Sequence, residues 1–374
     1  MSKRRGNGEG AIFKRGDGRW TATLTLEQGR RKSYYGKTRA EVADKLAAAL
    51  TERQNGSLIP REQVTVSAYL ERWLRDAAAP AVRATTMMGY ERMIRLHINP
   101  NIGKTRLARL TPEALSRLYR ELLDQGMAPK YVRLIHALLH RALKQAVRWR
   151  MVNVNVADAV DAPSAPRREF HALNAAEARR FLEVSLTDSN HALYVLALTC
   201  GMRQGEILGL RWADVDLDGG WLSVSQQVQR IGKKWVFSEP KTSRGRRRLA
   251  LPTIAVHALR EQRIRVASQR LKAPAWEDHD LVFPNLIGRP IEKQNLMRRS
   301  FKPLLERAGL PNIRFHDLRH SAATIMLAMG EHPRVVQERL GHSTIAVTMD
   351  VYSHVMPGLQ EESAARLDKV FAAS

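Results

Sequence analysis

The sequence predicts a mainly α-helical, multidomain chain carrying two small antiparallel sheets. Three observations carry that expectation. Apolar residues recur at helical spacing over residues 64–150 and through most of 170–374. Two stretches, 10–36 and 221–251, alternate instead between turn residues. Two segments without apolar periodicity, "QNGSLIPREQ" (54–63) and "DAPSAPRRE" (161–169), divide the 374 residues, a length too great for one ordinary core.

The elements follow in order. "AIFKR", "RWTATLTL" and "RKSYYGK" read as three short antiparallel strands joined by Gly-containing turns. Trp20, Tyr34 and Tyr35 are expected in their core. Thr38 and Glu41 form a T-x-x-E start for a helix through "AEVADKLAAALTERQ". Arg19, Arg30, Arg31 and Lys32 lie near the turns, where a sheet edge could meet a nucleic-acid groove. Residues 64–150 read as four or five helices, among them "LTPEALSRLYRELLDQG", with Thr111 as N-cap, Pro112 at the first position and Gly126 as stop. The i, i+4 pair His136 and His140 has no acidic or thiol partner nearby in sequence and is expected to pack rather than bind metal. Beyond the second linker, "WLSVSQQVQRI", "KKWVFSEP" and "RRRLALP" are expected to form a three-stranded sheet among helices.

Charge narrows the partners. The 61 Lys+Arg against 37 Asp+Glu give +24, an excess that suits a polyanion, most simply nucleic acid. Residues 1–60, 61–163 and 164–374 carry net +7, +8 and +9, so each part is expected to touch it. No apolar run approaches the roughly 20 residues that span a bilayer. The basic N-terminus lacks the apolar stretch of a secretory signal. Cys200 alone excludes an internal disulfide framework and fits a reducing compartment, so a cytoplasmic location is expected. Cys200 itself reads as a small buried apolar group.

Four islands in the last part collect cations: "TCGMRQGEILGLRW" (199–212), "EPKTSRGRRR" (239–248), "HDLRH" (316–320) and "LGHSTIAVTMDVYSH" (340–354). "HDLRH" stacks two histidines on one helical face, as a zinc-peptidase helix does. Asp317 stands where such a helix needs its glutamate, Arg319 is a fixed cation beside them, and no third ligand follows at ligand spacing. A phosphodiester accounts for the set better, because charge building on nonbridging oxygens must be met by fixed donors and a guanidinium can hold two oxygens at once. Arg203 runs into a helix start and Glu206 can brace it from within. Taken singly, each island also has an ordinary structural reading: an ion pair, a turn lysine, a helix cap, a core tyrosine.

Jointly, and in this order, they resemble the tyrosine recombinases of the phage-integrase family: Arg203 in "GMRQGEILGL", Lys241 in "PKT", His316 and Arg319 in "HDLRH", His342 in "LGHS" and Tyr352 in "DVYSH". The resemblance implies an arm-type DNA-binding domain over 1–57, a helical SAM-like core-binding domain over 64–160, and a catalytic domain over 170–374 with the DNA breaking-rejoining fold. It implies that Tyr352 attacks a scissile phosphate, leaving a 3′-phosphotyrosine and a free 5′-hydroxyl. Arg203, Arg319 and His342 would hold the phosphate, Lys241 would protonate the leaving oxygen, and His316 is the nearest candidate base. No metal and no cofactor is required on this reading. Arg244 and Arg246 are further DNA-binding candidates. Double-stranded attachment sites, a homotetramer on DNA, accessory bending or directionality proteins and a C-terminal helix (Leu359, Ala364, Leu367, Val370, Phe371) passed to a neighbouring subunit are implied partners and assembly. A type IB topoisomerase-like relaxing enzyme and a basic, non-catalytic DNA-binding regulator are the alternatives.

Overall fold

The computed structural model describes residues 10–25, 31–54, 64–166, 171–240 and 243–341, together with 344, 364, 368 and 371. The chain divides into two units, 1–167 and 168–374.

Unit 1 holds two separate hydrophobic clusters. The first lies between a three-stranded antiparallel sheet, β1 (Ala11–Lys14), β2 (Trp20–Thr25) and β3 (Arg31–Gly36), and helix α1 (Arg39–Gln54). Ala22 and Leu24 face Val42, Leu46 and Ala49 across that layer. Thr38 caps α1 through the Glu41 amide at 3.2 Å, while the Glu41 carboxylate reaches the Lys37 amide instead of that of Thr38. Trp20 and Tyr34 pack against the cluster as expected, but Tyr35 is half exposed, since alternation along β3 turns adjacent side chains to opposite faces.

The second cluster is all-helical: α2 (Val66–Trp73), α3 (Ala84–Met93), α4 (Asn99–Ile102), α5 (Pro112–Asp124) and α6 (Pro129–Arg148). Helices α2 and α3 run on through wider π-turns, Leu74–Ala78 and Ile94–Ile98. Thr111 caps α5 through the Ala114 amide, and Gly126 leaves it at φ +83°, where a side chain would strain the turn. Tyr69, Trp73, Leu115, Leu118, Ile135 and Leu139 fill the core. His140 corrects the expectation that no acid lies near the histidine pair: its Nε2 stands 2.7 Å from Asp158 Oδ1. Eighteen residues of chain fold back to bring that carboxylate in. His136 packs on the Tyr119 and His140 rings.

Unit 2 is built around α8 (His191–Thr199), whose residues from His191 to Leu198 are all buried. Around it lie α7 (Ala175–Ser185), α9 (Gln204–Leu208), α10 (Thr253–Lys272), α11 (Lys293–Leu296), α12 (Lys302–Arg307), α13 (Phe315–Ala328) and α14 (Pro333–Leu340). The rings of Phe181, Tyr194, Phe301 and Phe315 meet edge-on or tilted at 5.2–6.4 Å between centroids and fix the start of α13 against α8.

The strands differ from expectation. The three-stranded sheet is β4 (Val215–Asp216), β5 (Trp221–Val224) and β8 (Arg247–Ala250), in that order. A separate hairpin holds β6 (Gln227–Ile231) and β7 (Lys234–Ser238). The run "WLSVSQQVQRI" breaks at Ser225–Gln226, where side-chain bonds replace the ladder: Gln226 donates to the Gly209 carbonyl and Arg211 donates to Ser225 Oγ. No helix among the described residues is long and apolar enough to cross a membrane.

Candidate active site

Helix α8 ends at Thr199, and the chain turns through Cys200 and Gly201 to deliver Arg203 to the start of α9. Gly201 adopts φ +60°, and a Cβ there would stand 2.4 Å from Leu340 Cδ2, so the turn and α14 meet only because this residue has no side chain. Cys200 is fully buried, as expected, and burial raises its thiol pKa.

Arg203 is braced by Glu206 as the sequence suggests. Its Nη1 donates to Oε1 at 2.7 Å and its backbone amide to Oε2 at 3.0 Å. The same carboxylate accepts from Arg247 Nη2 at 2.9 Å. Glu206 is 2% exposed and Arg247 7%, whereas the Arg203 side chain keeps 38% of its surface open. Burial alone would push the Glu206 carboxyl up, but Arg247 and Arg203 outweigh it and hold the pKa below the usual carboxylate value.

Helix α13 supplies His316 and Arg319. Arg319 is 2% exposed; Nη1 donates to the Gly201 carbonyl at 2.7 Å and Nη2 to the Leu340 carbonyl at 2.5 Å. His316 stands open at the surface on the first turn, within a cation-rich wall. Desolvation by the surrounding protein, with help from Arg319 and Arg203, lowers its pKa and favours the neutral, proton-accepting imidazole. His320 meets it edge-on at 5.0 Å between ring centroids, and burial together with His316 pushes His320 down to about 4. Asp317, which stands where a zinc-peptidase helix needs its glutamate, is spent on Arg314: it accepts from the Arg314 amide at 2.8 Å and from the guanidinium at 2.7 Å.

These contacts converge on the end of α14. Gly341 closes the helix in the left-handed region at φ +65°, its amide donating to the Gln337 and Glu338 carbonyls. The next three carbonyls each meet a different arginine: Arg339 O accepts from Arg247 Nε at 2.6 Å, Leu340 O from Arg319, and Gly341 O from Arg203 Nη2 at 3.3 Å. The negative end of a helix dipole is a natural seat for cations. Arg203 and Glu206 from one part of the sequence, and His316 and Arg319 from another, thus belong to one wall beside the residue that precedes His342.

Lys241, His342 and Tyr352 lie outside the described residues, as does Arg30. Lys241 falls between β7 and β8, strands of different sheets. Arg244 is exposed in the short 3₁₀ turn Ser243–Gly245, and Arg246 pairs with Glu239 across the same loop. Arg19, Arg31 and Lys32 are exposed on the N-terminal sheet, with Lys32 Nζ 5.3 Å from the Tyr34 ring centre. Ala364, Asp368 and Phe371 of the expected terminal helix are helical and exposed. Sequence reasoning missed Arg247 and also Arg339, which donates to the Thr199 and Ala250 carbonyls. The signal for Arg247 was the alternation of β8, which sets Arg247 and Leu249 on the inner face and Arg248 outside.

Residues 171–358 match the phage integrase family and residues 65–123 the N-terminal SAM-like domain of phage integrases. An integrase of Streptomyces ambofaciens is 30% identical over 99% of this chain and 98% of its own. A tyrosine recombinase XerC-like protein of Caldanaerobacter subterraneus subsp. tengcongensis is 28% identical over 96% and 98%. Among solved structures, the Tn1549 transposon integrase in complex with a circular intermediate DNA superposes with TM-score 0.70 at 21% identity, covering 81% of this chain and 99% of that one. A lambda integrase tetramer bound to a Holliday junction gives 0.58 at 18% identity, over 89% and 95%.

Proposed function

The chain belongs to the phage integrase family and is a site-specific tyrosine recombinase, and we propose that it acts on double-stranded attachment sites through a 3′-phosphotyrosine formed by Tyr352. The observation that carries the reading is the wall beside α14, where Arg203 and Arg319 are fixed by the Glu206 carboxylate and by the carbonyls of Gly201, Leu340 and Gly341. Preorganised guanidinium groups cost little reorganisation when charge develops on a phosphate.

In the proposed step the Tyr352 phenol attacks phosphorus and loses its proton to His316, whose lowered pKa keeps it unprotonated at neutral pH. The bond to the 5′-oxygen breaks as the Tyr–O–P bond forms, and Lys241 protonates the departing oxygen. Arg203, Arg319 and His342 hold the nonbridging oxygens. The phosphodiester energy is retained in the phosphotyrosine, and a 5′-hydroxyl from a partner strand releases it, giving a Holliday junction and then recombinants. No residue of this scheme requires a cofactor.

Three domains serve that chemistry in the proposal: 1–57 for arm-type DNA, 64–160 for the core site and 170–374 for catalysis. Solved integrases of similar fold are described with DNA, one as a tetramer on a Holliday junction, and a homotetramer that exchanges its C-terminal helix fits the exposed Phe371. A nucleoid-associated place in the cytoplasm of a bacterial host agrees with the +24 charge.

The test is a nicked suicide duplex carrying a core site from the DNA flanking the gene. Wild-type protein is expected to accumulate a covalent adduct and to join two defined sites. Tyr352→Phe is expected to bind the duplex and form no adduct. Adduct from Tyr352→Phe contradicts the assignment, and relaxation of supercoils without joining favours a topoisomerase.

A further inference from the structure

Arg247 lies in the cation-rich island 239–248 without being one of the residues singled out there, yet it bonds three segments at once. Its Nη2 meets Glu206 Oε2 at 2.9 Å, its Nε meets the Arg339 carbonyl at 2.6 Å, and its Nη1 meets the Gly245 carbonyl at 3.1 Å. A Cβ placed on Gly341 would lie 3.2 Å from both Cδ and Nη1 of Arg247, so the guanidinium packs directly beneath the turn that leads into His342. All three nitrogens are engaged in bonds within the protein and the side chain is 7% exposed.

We propose that Arg247 is a positioning residue for strand cleavage, tying the Glu206 brace of Arg203 to the carbonyl end of α14 and thereby fixing Arg203 and the His342 turn relative to each other. The proposal rests on the reading above that Arg203 and His342 meet the scissile phosphate. Its physical logic lies in how Glu206 divides its charge. With Arg247 in place the carboxylate is shared between two cations. Arg203 then holds its outer Nη2 on the Gly341 carbonyl by the longest bond of the set, 3.3 Å, the one most readily exchanged for a phosphate oxygen. Without Arg247 the buried carboxylate has Arg203 as its one remaining cation among the contacts described, and Arg203 is drawn inward while the Arg339 carbonyl loses its donor. Gly245 lies four residues after Lys241, so the same side chain also anchors the far end of the loop that carries the proposed acid.

Single-turnover cleavage of the suicide duplex at saturating protein separates this role from a structural one, measured beside DNA affinity and the melting transition. Arg247→Met is expected to lower the cleavage rate constant about 100-fold while affinity stays within about threefold. Arg247→Lys is expected to recover about tenfold of that loss, since an ammonium reaches some of the three partners but not all. Glu206→Gln combined with Arg247→Met is expected to lose little more than the worse single change, because both act through Arg203. Cleavage at the wild-type rate by folded Arg247→Met, a loss confined to affinity, or fully multiplicative losses in the double variant overturns the proposal. Should Arg247→Met fail to fold, Arg247→Lys with a normal melting transition decides: full wild-type cleavage rejects the tie, an intermediate rate supports it. Tyr352→Phe in the same assay keeps the two readings apart. If that variant still forms adduct, the assignment of the site falls. If it forms none while the Arg247 variants cleave normally, only the tie falls.

Discussion

At the scale of single residues, glycine and charge decide how the wall is built. Gly201 and Gly341 both sit at positive φ in close contacts, with Leu340 and with the Arg244 carbonyl. Gly201→Ala is expected to destabilise unit 2 by about 1–3 kcal/mol, as strain and overlap add; thermal denaturation checks it, and an unchanged midpoint contradicts the packing described. The histidines give a pH prediction. His320 has a folded pKa near 4, below the unfolded value of about 6.5. Between those values the unfolded chain binds more protons, so stability is present above pH 6.5 and lost as pH falls toward 4. Partial solvent access reduces the magnitude to about 1 kcal/mol, a few degrees in Tm for a unit of this size. His320→Asn is expected to flatten that decline in a melting series from pH 7 to 5. The Arg203–Glu206 brace was legible at this scale because both residues lie in one short local string. Arg247 and Arg339 were not, because their partners arrive from distant parts of the chain; Arg247 and Arg339 themselves are 92 residues apart.

At the scale of elements, the caps and turns followed their sequence signals closely. Thr38, Thr111 and Gly126 each sit where side-chain chemistry places them. Asn174 forms a full capping box with Glu177 on α7, its side chain accepting from the Glu177 amide at 2.9 Å and its own amide meeting the Glu177 carboxylate at 2.9 Å. Asn174→Ala is expected to cost about 1 kcal/mol of stability while leaving the cleavage rate of folded protein intact; a lost rate at constant stability contradicts a purely structural cap. The second sheet was misread for an identifiable reason. "WLSVSQQVQRI" has the alternation of one strand, and nothing local announces that Ser225 and Gln226 bond to Arg211 and Gly209 rather than to a neighbouring strand. Register set by tertiary partners is invisible to periodicity. The His140–Asp158 pair escaped for the same reason.

At the scale of the whole molecule, the charge is spread over every part of the chain, which matches a protein that grips DNA at more than one address. Removing residues 1–57 is expected to flatten the dependence of log affinity on log salt by about 2–4 units on full attachment-site DNA, through loss of phosphate contacts from residues such as Arg19, Arg31 and Lys32. Cleavage of a core-site suicide duplex is expected to persist; an unchanged salt slope contradicts an arm-binding role for the N-terminal sheet. Chelator is expected to leave cleavage unaltered, since the proposed step draws every donor from the chain itself. The central claim concerns a single bond, between the Tyr352 oxygen and phosphorus, and mass spectrometry of the digested covalent complex reads it directly. The account predicts the nucleotide on the peptide containing "DVYSH", attached at Tyr352. A nucleotide on any other side chain, with Tyr352 unmodified, contradicts it.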